Sequence, residues 1–405
     1  METILRRPII RRTGRAILVG LSKTLAYVER LLVQSVLATR RLQARIAPRG
    51  SGLQPANESP PSPERLITEH VNERDIDAIL RSLGKQLVDG HTPNFSYLGT
   101  RFGDYEMSVL SIKALGYELA RALADQRMSR SVEAPPATSL PSKVCTQSDM
   151  ESEWCLFWAR EMRAAPIYHR KLWEFCYVAQ VLWRDNKMKP GMTGVGFGCG
   201  QEPLPSLFAK YGVSVLATDL DPTRSEADGW KASGQHAAAI DAVRRSDVCP
   251  DEALLANIDF RSVDMNAVPP DLDGKFDFCW SSCSLEHLGS IENGLRFIER
   301  SLQTLKPGGI AVHTTEYNLS DGDTIDEWPT VLFQRKHIVP LVHKLRRNGY
   351  EVAELDLSPG DGFLDGFIDI PPWTHHVVPL ARQSHLKISI QGFPCTSVGL
   401  IVKRM

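Results

Sequence analysis

The clearest pattern of apolar and polar positions lies in residues 192–222, where two apolar runs flank a glycine turn and the start of a helix. The first run ends at Phe197, the turn is Gly198–Gly200, and the second run leads to Asp219. Short apolar runs bounded by turn residues are typical of buried parallel strands. The pattern therefore predicts a strand–turn–helix–strand unit with an acidic side chain at the end of its second strand.

The same alternation of β-patterned and helical runs continues to the end of the chain. Strands that alternate with helices indicate an α/β fold with a doubly wound, Rossmann-like parallel sheet. A Lys-Pro-Gly-Gly turn at 306–309 is predicted to lead into the fifth strand. The later predicted strands are residues 258–263, 276–281, 310–315, 350–357, 385–390 and 397–403, and the predicted helices are 229–248, 291–305 and 338–348.

Residues 1–50 differ from the rest of the chain in charge. They carry eleven Lys and Arg residues against two acids, and apolar residues recur there at three- or four-residue steps. This spacing predicts a basic amphipathic helix, interrupted by charges before it could span a membrane. Three interpretations stay open: docking on an anionic membrane surface or a protein partner, packing on the protein's own domain, and a cleaved transit peptide. The apolar positions are Leu18, Leu21, Leu25, Val28, Leu32 and Val36.

Changes in composition divide the remaining chain. Residues 51–63 are rich in Gly, Pro and Ser and predict a linker, as do residues 129–150. Between them, residues 64–128 predict a small helical module with a loop at 91–104. Residues 151–405 are left for the α/β domain, a length that one domain can occupy.

The totals narrow the class of protein. The formal net charge of the 405 residues is −1, so no global attraction to nucleic acid is implied. Eight cysteines form no CxxC pair, which suits reduced cytoplasmic thiols better than disulfides or a zinc site. No uninterrupted apolar run reaches the roughly 20 residues that a membrane-spanning helix needs. We therefore expect a cytoplasmic protein, with peripheral contact at the inner face of a membrane only through residues 1–50.

The glycine turn and the acid after the second strand indicate a nucleoside-containing cofactor. Glycines let the backbone pass close to a ligand, and a carboxylate at a strand end can bind two ribose hydroxyls. Dinucleotide-binding proteins need glycines at positions i, i+2 and i+5. Counted from any glycine in residues 194–198, position i+5 is not a glycine. An NAD-dependent oxidoreductase is therefore disfavoured.

From about Trp154 to its end, the chain resembles the class I S-adenosylmethionine (SAM)-dependent methyltransferases. The family motif is typically D/E-x-G-x-G-x-G, followed by an acid that ends the second strand. Gly198, Gly200 and Asp219 match this motif. The resemblance implies a seven-stranded sheet whose closing strands form an antiparallel edge, and it implies SAM as the cofactor.

Two positions depart from the family motif. Gly196 stands where an acid is usual, and Glu202 stands where the third glycine is usual. The amino-acid sequence of residues 196–205 resembles that of a subgroup associated with bacterial glycan and secondary-metabolite gene clusters. The subgroup likeness implies a small polar acceptor, such as a saccharide.

The resemblance places the cofactor contacts at the strand ends. The turn glycines would admit the methionine half of SAM, Asp219 would bind the ribose hydroxyls, and Leu220 would lie beside the adenine. Asp264 would accept a hydrogen bond from the adenine amino group, with a backbone contact from Met265. The predicted cofactor-binding residues are Phe197, Gly198, Gly200, Asp219, Leu220, Asp264, Met265 and Ser281.

Residues 151–187 predict helices rich in aromatic side chains, with a charged cluster around Arg170 and Lys171. In the resembling family, helices before the first strand commonly cover the SAM pocket. One of the two cations could then meet the methionine carboxylate or an anionic substrate. The alternative is an aromatic core stripe with a solvated charged face.

Methyl transfer from a sulfonium is a direct displacement, so alignment and exclusion of water are the enzyme's main tasks. A hydroxyl acceptor also gains from a general base. Glu316 and His313 lie at the unusually polar end of the fifth predicted strand, and His287 follows the fourth. These three are the predicted catalytic residues. The alternatives are an exposed loop acid for Glu316 and a buried structural histidine for His287.

Two other groups near the carboxyl terminus carry weaker signals. Glu316, Asp321, Asp323 and Asp326 could supply oxygens to a cation, but their spacing matches no calcium loop, so no metal is predicted. The loop 360–379, with Trp373 and His375–His376, has the composition of a sugar-stacking surface, and a plain surface loop explains it equally.

The sequence thus predicts a SAM-dependent methyltransferase, and O-methylation of a carbohydrate or other small polar metabolite is the leading hypothesis. A nucleic-acid enzyme is disfavoured, because residues 281–283 lack the (D/N)PPY-type signature and no basic patch flanks the site. The alternative is a SAM-binding scaffold without turnover that recruits partners through residues 1–128.

Overall fold

The structure is a computed structural model, and it divides the chain into two units, residues 1–104 and 105–405. The predicted basic helix, the linker 51–63 and the helical module before residue 88 lie outside the described residues. So do Trp373 and His375–His376. The residues described are 88–89, 92–93, 95–224, 236–237, 239–327, 329–371 and 384–405, with side chains from residue 99 onward.

Strands and helices alternate through the described residues. None of the helices in this part of the chain is long and apolar enough to cross a membrane. The strands are β1 (Val88–Asp89), β2 (Thr92–Pro93), β3 (Ser142–Lys143), β4 (Thr193–Gly196), β5 (Ser214–Asp219), β6 (Ile258–Ser262), β7 (Phe276–Ser282), β8 (Leu305–Asn318), β9 (Tyr350–Val352), β10 (Leu355–Asp356), β11 (Ile368–Asp369), β12 (Lys387–Ile390) and β13 (Phe393–Arg404). The α-helices are α1 (Phe95–Arg127), α2 (Gln147–Met150), α3 (Glu153–Glu161), α4 (Arg170–Arg184), α5 (Leu204–Lys210), α6 (Ile240–Val243), α7 (Glu252–Leu255), α8 (Ile291–Ser301) and α9 (Arg335–Arg347). Single 3₁₀ turns lie at Met265–Ala267, Pro270–Leu272, Leu285–His287, Leu302–Thr304 and Phe363–Asp365.

The core of the second unit is one mixed sheet in the order β11–β12–β13–β8–β7–β4–β5–β6, and β9 also pairs with β13. Strands β6, β5, β4, β7 and β8 are mutually parallel, whereas β13 is antiparallel to β8. With β9 these strands make the predicted doubly wound, seven-stranded sheet with an antiparallel edge. The predicted strand 385–390 is observed as β12, which pairs antiparallel with the part of the twelve-residue β13 that β9 leaves free. β11, which was not predicted, pairs with β12 and extends the sheet by one strand.

Helix α4 carries the predicted aromatic stripe onto this sheet. Trp173 and Tyr177 are fully buried, and their rings stack with centroids 4.7 Å apart. Gly399 on β13 permits this approach, since a Cβ there would lie 2.3 Å from the Tyr177 ring. The histidine before α4 caps it by accepting a hydrogen bond from the backbone N–H of Lys171. The first helical turn therefore brings Arg170 and Lys171 to the carboxyl ends of the central strands.

The structure corrects two predicted boundaries before the α/β domain. Part of the predicted linker 129–150 is folded: β3 pairs with β10, and α2 follows with a buried Met150. The predicted loop 91–104 is helical from Phe95 onward, where α1 begins. Polar and glycine residues there favour a loop locally, but propensity is a weak guide inside a long helix.

Three boundaries within the domain also differ. The turn 306–309 lies inside β8, opposite a shift in the pairing register with β7, because β8 begins at Leu305. The predicted strand 350–357 is two strands, one paired with β13 and the other with β3. Of the predicted helix 229–248, the described residues form a helix only at Ile240–Val243.

Candidate active site

A cavity of about 640 Å³ opens at the carboxyl ends of β4, β5, β6 and β7. Ligands of doubly wound sheets bind at this edge, and the volume is typical of a small-molecule pocket. Residues from the first turn of α4 complete the lining. Of the predicted cofactor-binding residues, the cavity is lined by Gly198, Gly200, Asp219, Leu220, Asp264 and Met265.

The turn after β4 has a backbone that favours glycine. Gly198 has φ of +61° and Gly200 has φ of +52°, in the left-handed region. A Cβ on Gly198 would lie 2.7 Å from the Cβ of Ser284, so a side chain would also close the space beside the cavity. The turn is fixed to β5 through the N–H of Cys199, which donates to the carbonyl of Thr218 at 2.9 Å. At its two glycines the turn therefore presents bare backbone to a ligand.

Asp219 is held at the end of β5 by three backbone donors. Its Oδ2 accepts from the N–H groups of Gly200 at 3.2 Å and Ala237 at 2.9 Å, and its Oδ1 accepts from Leu220 N–H at 2.7 Å. Burial raises the pKa of this carboxyl, while these N–H groups act in the opposite direction. Two carboxylate oxygens offer about four acceptor positions, so the fixed side chain keeps capacity for a ribose hydroxyl.

Asp264 follows β6 and caps the next 3₁₀ turn. Its Oδ1 accepts from Asn266 N–H at 2.8 Å, and its Oδ2 accepts from the guanidinium of Arg224 at 2.7 Å. Met265 beside it is buried and lines the cavity together with Leu220. This group offers an apolar slot with a carboxylate at one end, which fits a purine with an exocyclic amino group.

Four predicted site residues do not line the cavity: Phe197, Ser281, His313 and Glu316. The ring of Phe197 is fully buried against Phe297, and only its carbonyl accepts a bond, from the Ser284 hydroxyl at 3.2 Å. Ser281 and His313 are buried as a pair, with 2.8 Å between the serine oxygen and Nδ1. Burial lowers the pKa of His313 to about 3, so its ring is neutral at physiological pH.

His313 is therefore corrected from a catalytic to a structural position. Its second nitrogen, Nε2, lies 2.9 Å from the hydroxyl of Ser301 on α8, so the ring links β7, β8 and α8. The sequence showed polar groups at this strand end, and that polarity is satisfied within the core. Both ring nitrogens are occupied, which leaves no basic atom for a substrate.

Glu316, the first predicted base, is also placed away from the cavity lining. Its carboxylate faces the guanidinium of Arg170, whose Nε lies 3.0 and 3.2 Å from the two oxygens and whose Nη2 lies 2.5 Å from Oε1. Burial raises its pKa, but Arg170 and Lys171 outweigh burial, and the net shift of the pKa is downward. A carboxylate held in this way is a weak base, so we correct its expected role to that of an ion-pair partner.

His287 does line the cavity, at the end of the 3₁₀ turn after β7. Its Nδ1 lies 2.9 Å from the carbonyl oxygen of Pro329. Because a carbonyl only accepts, the ring donates through Nδ1, and Nε2 is left as the basic nitrogen. Nε2 lies 3.9 Å from a carboxylate oxygen of the buried Glu286.

Cys283 and Glu174 form a buried pair at the cavity that the sequence analysis missed. Cys283 lines the cavity with φ of +47°, an uncommon conformation for this residue, and its thiol lies 3.0 Å from Oε1 of Glu174. The carboxylate also accepts from the hydroxyls of Thr314 and Ser397. Burial raises the pKa of both the thiol and the carboxyl. The only sequence signal was the break in the apolar pattern directly after β7.

Glu202 and Lys171 lie in the lining of the same cavity. Oε1 of Glu202 accepts a hydrogen bond of 2.6 Å from Nε1 of the fully buried Trp280. Burial raises the pKa of this carboxyl to about 8. The Glu202 side chain therefore occupies space at the position where the family motif usually has a glycine.

The acids at 316, 321, 323 and 326, which were considered as metal ligands without a metal being predicted, do not come together as a group in the described residues. Cys283, Glu286 and Glu316 do, with one ligand atom of each within 4.8 Å of the others. The guanidinium of Arg170 already neutralises Glu316 in this cluster. No metal is needed to explain the arrangement.

Several solved structures are distantly similar to this chain. The sarcosine dimethylglycine methyltransferase assigned in Galdieria sulphuraria is 17% identical, covers 42% of this chain and 51% of its own, and has a TM-score of 0.28. The Haemonchus contortus phosphoethanolamine N-methyltransferase 2, solved with SAM, is 18% identical; the match covers 43% of this chain and 37% of that protein, with a TM-score of 0.30. The geranyl diphosphate C-methyltransferase of Streptomyces coelicolor A3(2) is 14% identical; the match covers 71% of this chain and 98% of that protein, with a TM-score of 0.35.

The chain thus spans about half the length of the first of these proteins and 37% of the second. None of these likenesses is close enough to bear on the substrate. No curated protein matches the chain significantly.

A family model described as a methyltransferase domain matches residues 195–313, which run from β4 into β8. The matched segment contains the glycine turn, Asp219 and Asp264. The features of this structure fit SAM: a turn with two glycines in the left-handed conformation, a fixed carboxylate at the second strand and an apolar slot with an acceptor for an adenine amino group. The α/β domain that contains residues 195–313 is therefore a class I SAM-dependent methyltransferase domain, and its cofactor is SAM.

Proposed function

We propose that this protein is an enzyme that transfers the methyl group of SAM to an oxygen of a small polar acceptor, with a carbohydrate as the leading class. One observation carries the proposal: the cavity continues from the cofactor turn to a polar wall. Gly198 and Asp219 line the first part, and Lys171, Cys283 and His287 line the second. A nucleophile bound at this wall would meet the methyl group beneath α4, where alignment and exclusion of water favour displacement.

The polar wall favours a small acceptor over a polymer. Lys171 supplies a cation, and Phe175, one helical turn further along α4, supplies an aromatic face. An aromatic face with a few placed polar groups is a common arrangement for binding small polar molecules. The lysine would add affinity for an acidic or phosphorylated sugar.

His287 is our candidate for the base that accepts the hydroxyl proton. Its Nδ1–H is held by the Pro329 carbonyl, which sets the tautomer in which Nε2 carries the lone pair. The neighbouring Glu286 would stabilise the imidazolium that forms. The proposed roles of the cofactor residues rest on the cavity lining and on the family motif.

The test begins with a calorimetric titration of S-adenosylhomocysteine (SAH), the product of methyl transfer. Asp219→Ala should weaken binding by roughly 1 kcal/mol or more, about fivefold, the value of hydrogen bonds to a charged group. Asp221→Ala is the matched control, because Asp221 is exposed two residues later and does not line the cavity. Equal affinities for both variants would refute the ribose assignment.

Transfer is then measured with methyl-labelled SAM and panels of free sugars, sugar phosphates and nucleotide sugars, with RNA and protein as negative panels. Label in a sugar panel, lost in His287→Gln while SAH affinity is retained, would support the proposal. SAM binding without label in any panel would favour the alternative of a SAM-binding scaffold.

We further propose that residues 1–50 dock the protein on an anionic membrane surface or on a protein partner. The support is their charge and apolar spacing alone. Deleting them should leave SAH binding unchanged and move the protein from the membrane fraction to the supernatant. A full-length protein that is already in the supernatant would refute the membrane form of this proposal.

A further inference from the structure

Glu202 is a buried carboxyl in the wall of the cofactor cavity. The residue is 7% exposed and follows Gly200 of the cofactor turn by two positions. Its Oε1 is fixed by Nε1 of Trp280, which lies on β7. Glu202 therefore connects the turn expected to hold the methionine half of SAM with the strand end where the acceptor is expected.

The charged and titratable groups around Glu202 come from two elements. Cys199 lies in the same turn, and Lys171 and Glu174 project from α4. Within the described part of the chain, no cation forms an ion pair with Glu202. Burial dominates the shift of its pKa to about 8, so the group carries a proton in most molecules at pH 7. The Trp280 N–H and the Ser282 hydroxyl both favour the ionised carboxylate, so the group can lose its proton if a positive charge enters the cavity.

The two forms of the cofactor differ in charge at sulfur. SAM carries a sulfonium, and SAH carries a neutral thioether. We propose that Glu202 discriminates between them, ionising when SAM binds and remaining protonated when SAH binds. The inference rests on the cofactor-binding part of the proposed function and concerns no acceptor.

The physical reason is that Glu202 is buried away from water. An ion pair formed away from water is far stronger than one at a surface, and an opposite charge within about 4–6 Å lowers a carboxyl pKa. Binding of SAM would then release a proton from Glu202, and loss of the methyl group would remove the attraction. The consequence is weaker retention of the product than of the substrate form of the cofactor.

The test counts protons during calorimetric titration at pH 7 in two buffers with different ionisation enthalpies. A group with pKa of about 8 is about 0.9 protonated at this pH, so wild-type protein should release up to about 0.9 proton more with SAM than with SAH. Glu202→Gln keeps the shape and the acceptor for Trp280 but cannot ionise. In this variant the proton difference should fall by that amount, and the ratio of SAM to SAH affinity should fall about tenfold.

Comparison of the variant with wild type removes the contribution of the ligands' own amino groups, which is the same for both proteins. A second measurement needs no variant. Wild-type SAM affinity should rise by up to about tenfold per pH unit from pH 6 to pH 8, above the slope for SAH, and then level off. Asp221→Asn is the control, since this exposed carboxyl does not line the cavity.

Three results would overturn the inference. Equal excess proton release with SAM and SAH would show that Glu202 responds to the shared amino group. If SAM and SAH each bind but no proton release depends on Glu202, its ionisation does not respond to the charge on sulfur. Failure of both ligands to bind folded protein would overturn the cofactor assignment itself, and the inference with it.

Discussion

The ion pair between Arg170 and Glu316 gives the sharpest test of how this site is built. The side chains are 10% and 5% exposed, and the guanidinium contacts both carboxylate oxygens. The pair joins the first turn of α4 to the end of β8, 146 positions apart in the chain. Glu316→Gln would leave the guanidinium buried without its counter-charge. We expect this loss to affect folding stability and not cofactor affinity, because neither side chain lines the cavity.

Removing one partner of a buried pair costs about 3–5 kcal/mol, because the remaining charge is left in a poorly solvated site. Glu316→Gln and Arg170→Met should each lose stability in this range. The double variant should lose less than the sum of the two, and the difference is the coupling energy. Urea unfolding followed by tryptophan fluorescence measures all four proteins. Asp271→Asn is the matched control, because its pair with Arg261 is exposed and should be worth at most about 1 kcal/mol.

The pH dependence of the coupling energy gives a second test of the ion pair. The folded-state pKa of Glu316 is lowered, so its stabilising contribution is present above its ordinary pKa of 4.5 and is lost as pH falls through the lower folded value. The coupling energy should therefore be constant from pH 8 to pH 6 and decline only in acid. A Glu316→Gln protein with wild-type stability and at least a hundredfold lower turnover would refute the structural assignment and restore Glu316 as a catalytic residue.

Three further predictions concern single side chains near the cavity. Lys171→Met should raise the acceptor KM about tenfold or more for an anionic acceptor, with SAH affinity unchanged by calorimetry; an unchanged KM would exclude an anion anchor. His287→Gln should lower kcat about 10²–10⁴-fold with little change in SAH affinity, the usual contribution of a general base, and a change below threefold would leave alignment alone as the catalytic device. The neutral, buried His313 has a folded pKa near 3, so wild-type stability should fall as pH drops below 6.5, by up to about 1.4 kcal/mol per unit. His313→Gln should remove that part of the slope, and identical pH profiles by urea unfolding would contradict the burial argument.

The sheet could be predicted from the sequence because its signals are local. The apolar run before Gly198, the glycine turn itself and the acid at Asp219 all lie within about 25 residues, and each reports the conformation of its own neighbourhood. The carboxyl ends of parallel strands share one edge of the sheet, so local assignments were enough to bring these residues to a common cavity.

The polar end of β8 shows where sequence reasoning stopped. The pattern indicated correctly that polar groups at a buried strand end need partners. The local pattern could not identify these partners, because they lie on other elements of the fold. The partner of Glu316 lies on α4, and the two partners of His313 lie on β7 and α8. Both side chains were expected to face a substrate, whereas both have their polar partners within the fold. Cys283 was missed for the same reason, since its partner Glu174 is 109 positions away.

Four buried carboxyls lie near the polar wall, and their environments separate their roles. Glu316 is neutralised by Arg170, and Glu174 is surrounded by hydroxyl and thiol donors. Glu286 accepts from the hydroxyl of Thr315 and does not line the cavity. Glu202 alone among these four lines the cavity without an ion pair in the described residues, so a ligand can change its ionisation at small cost elsewhere. The family motif usually has a glycine at the position of Glu202, and an apolar side chain there would only narrow the cofactor site. The carboxyl of Glu202 can in addition respond to the positive charge on sulfur that methyl transfer removes.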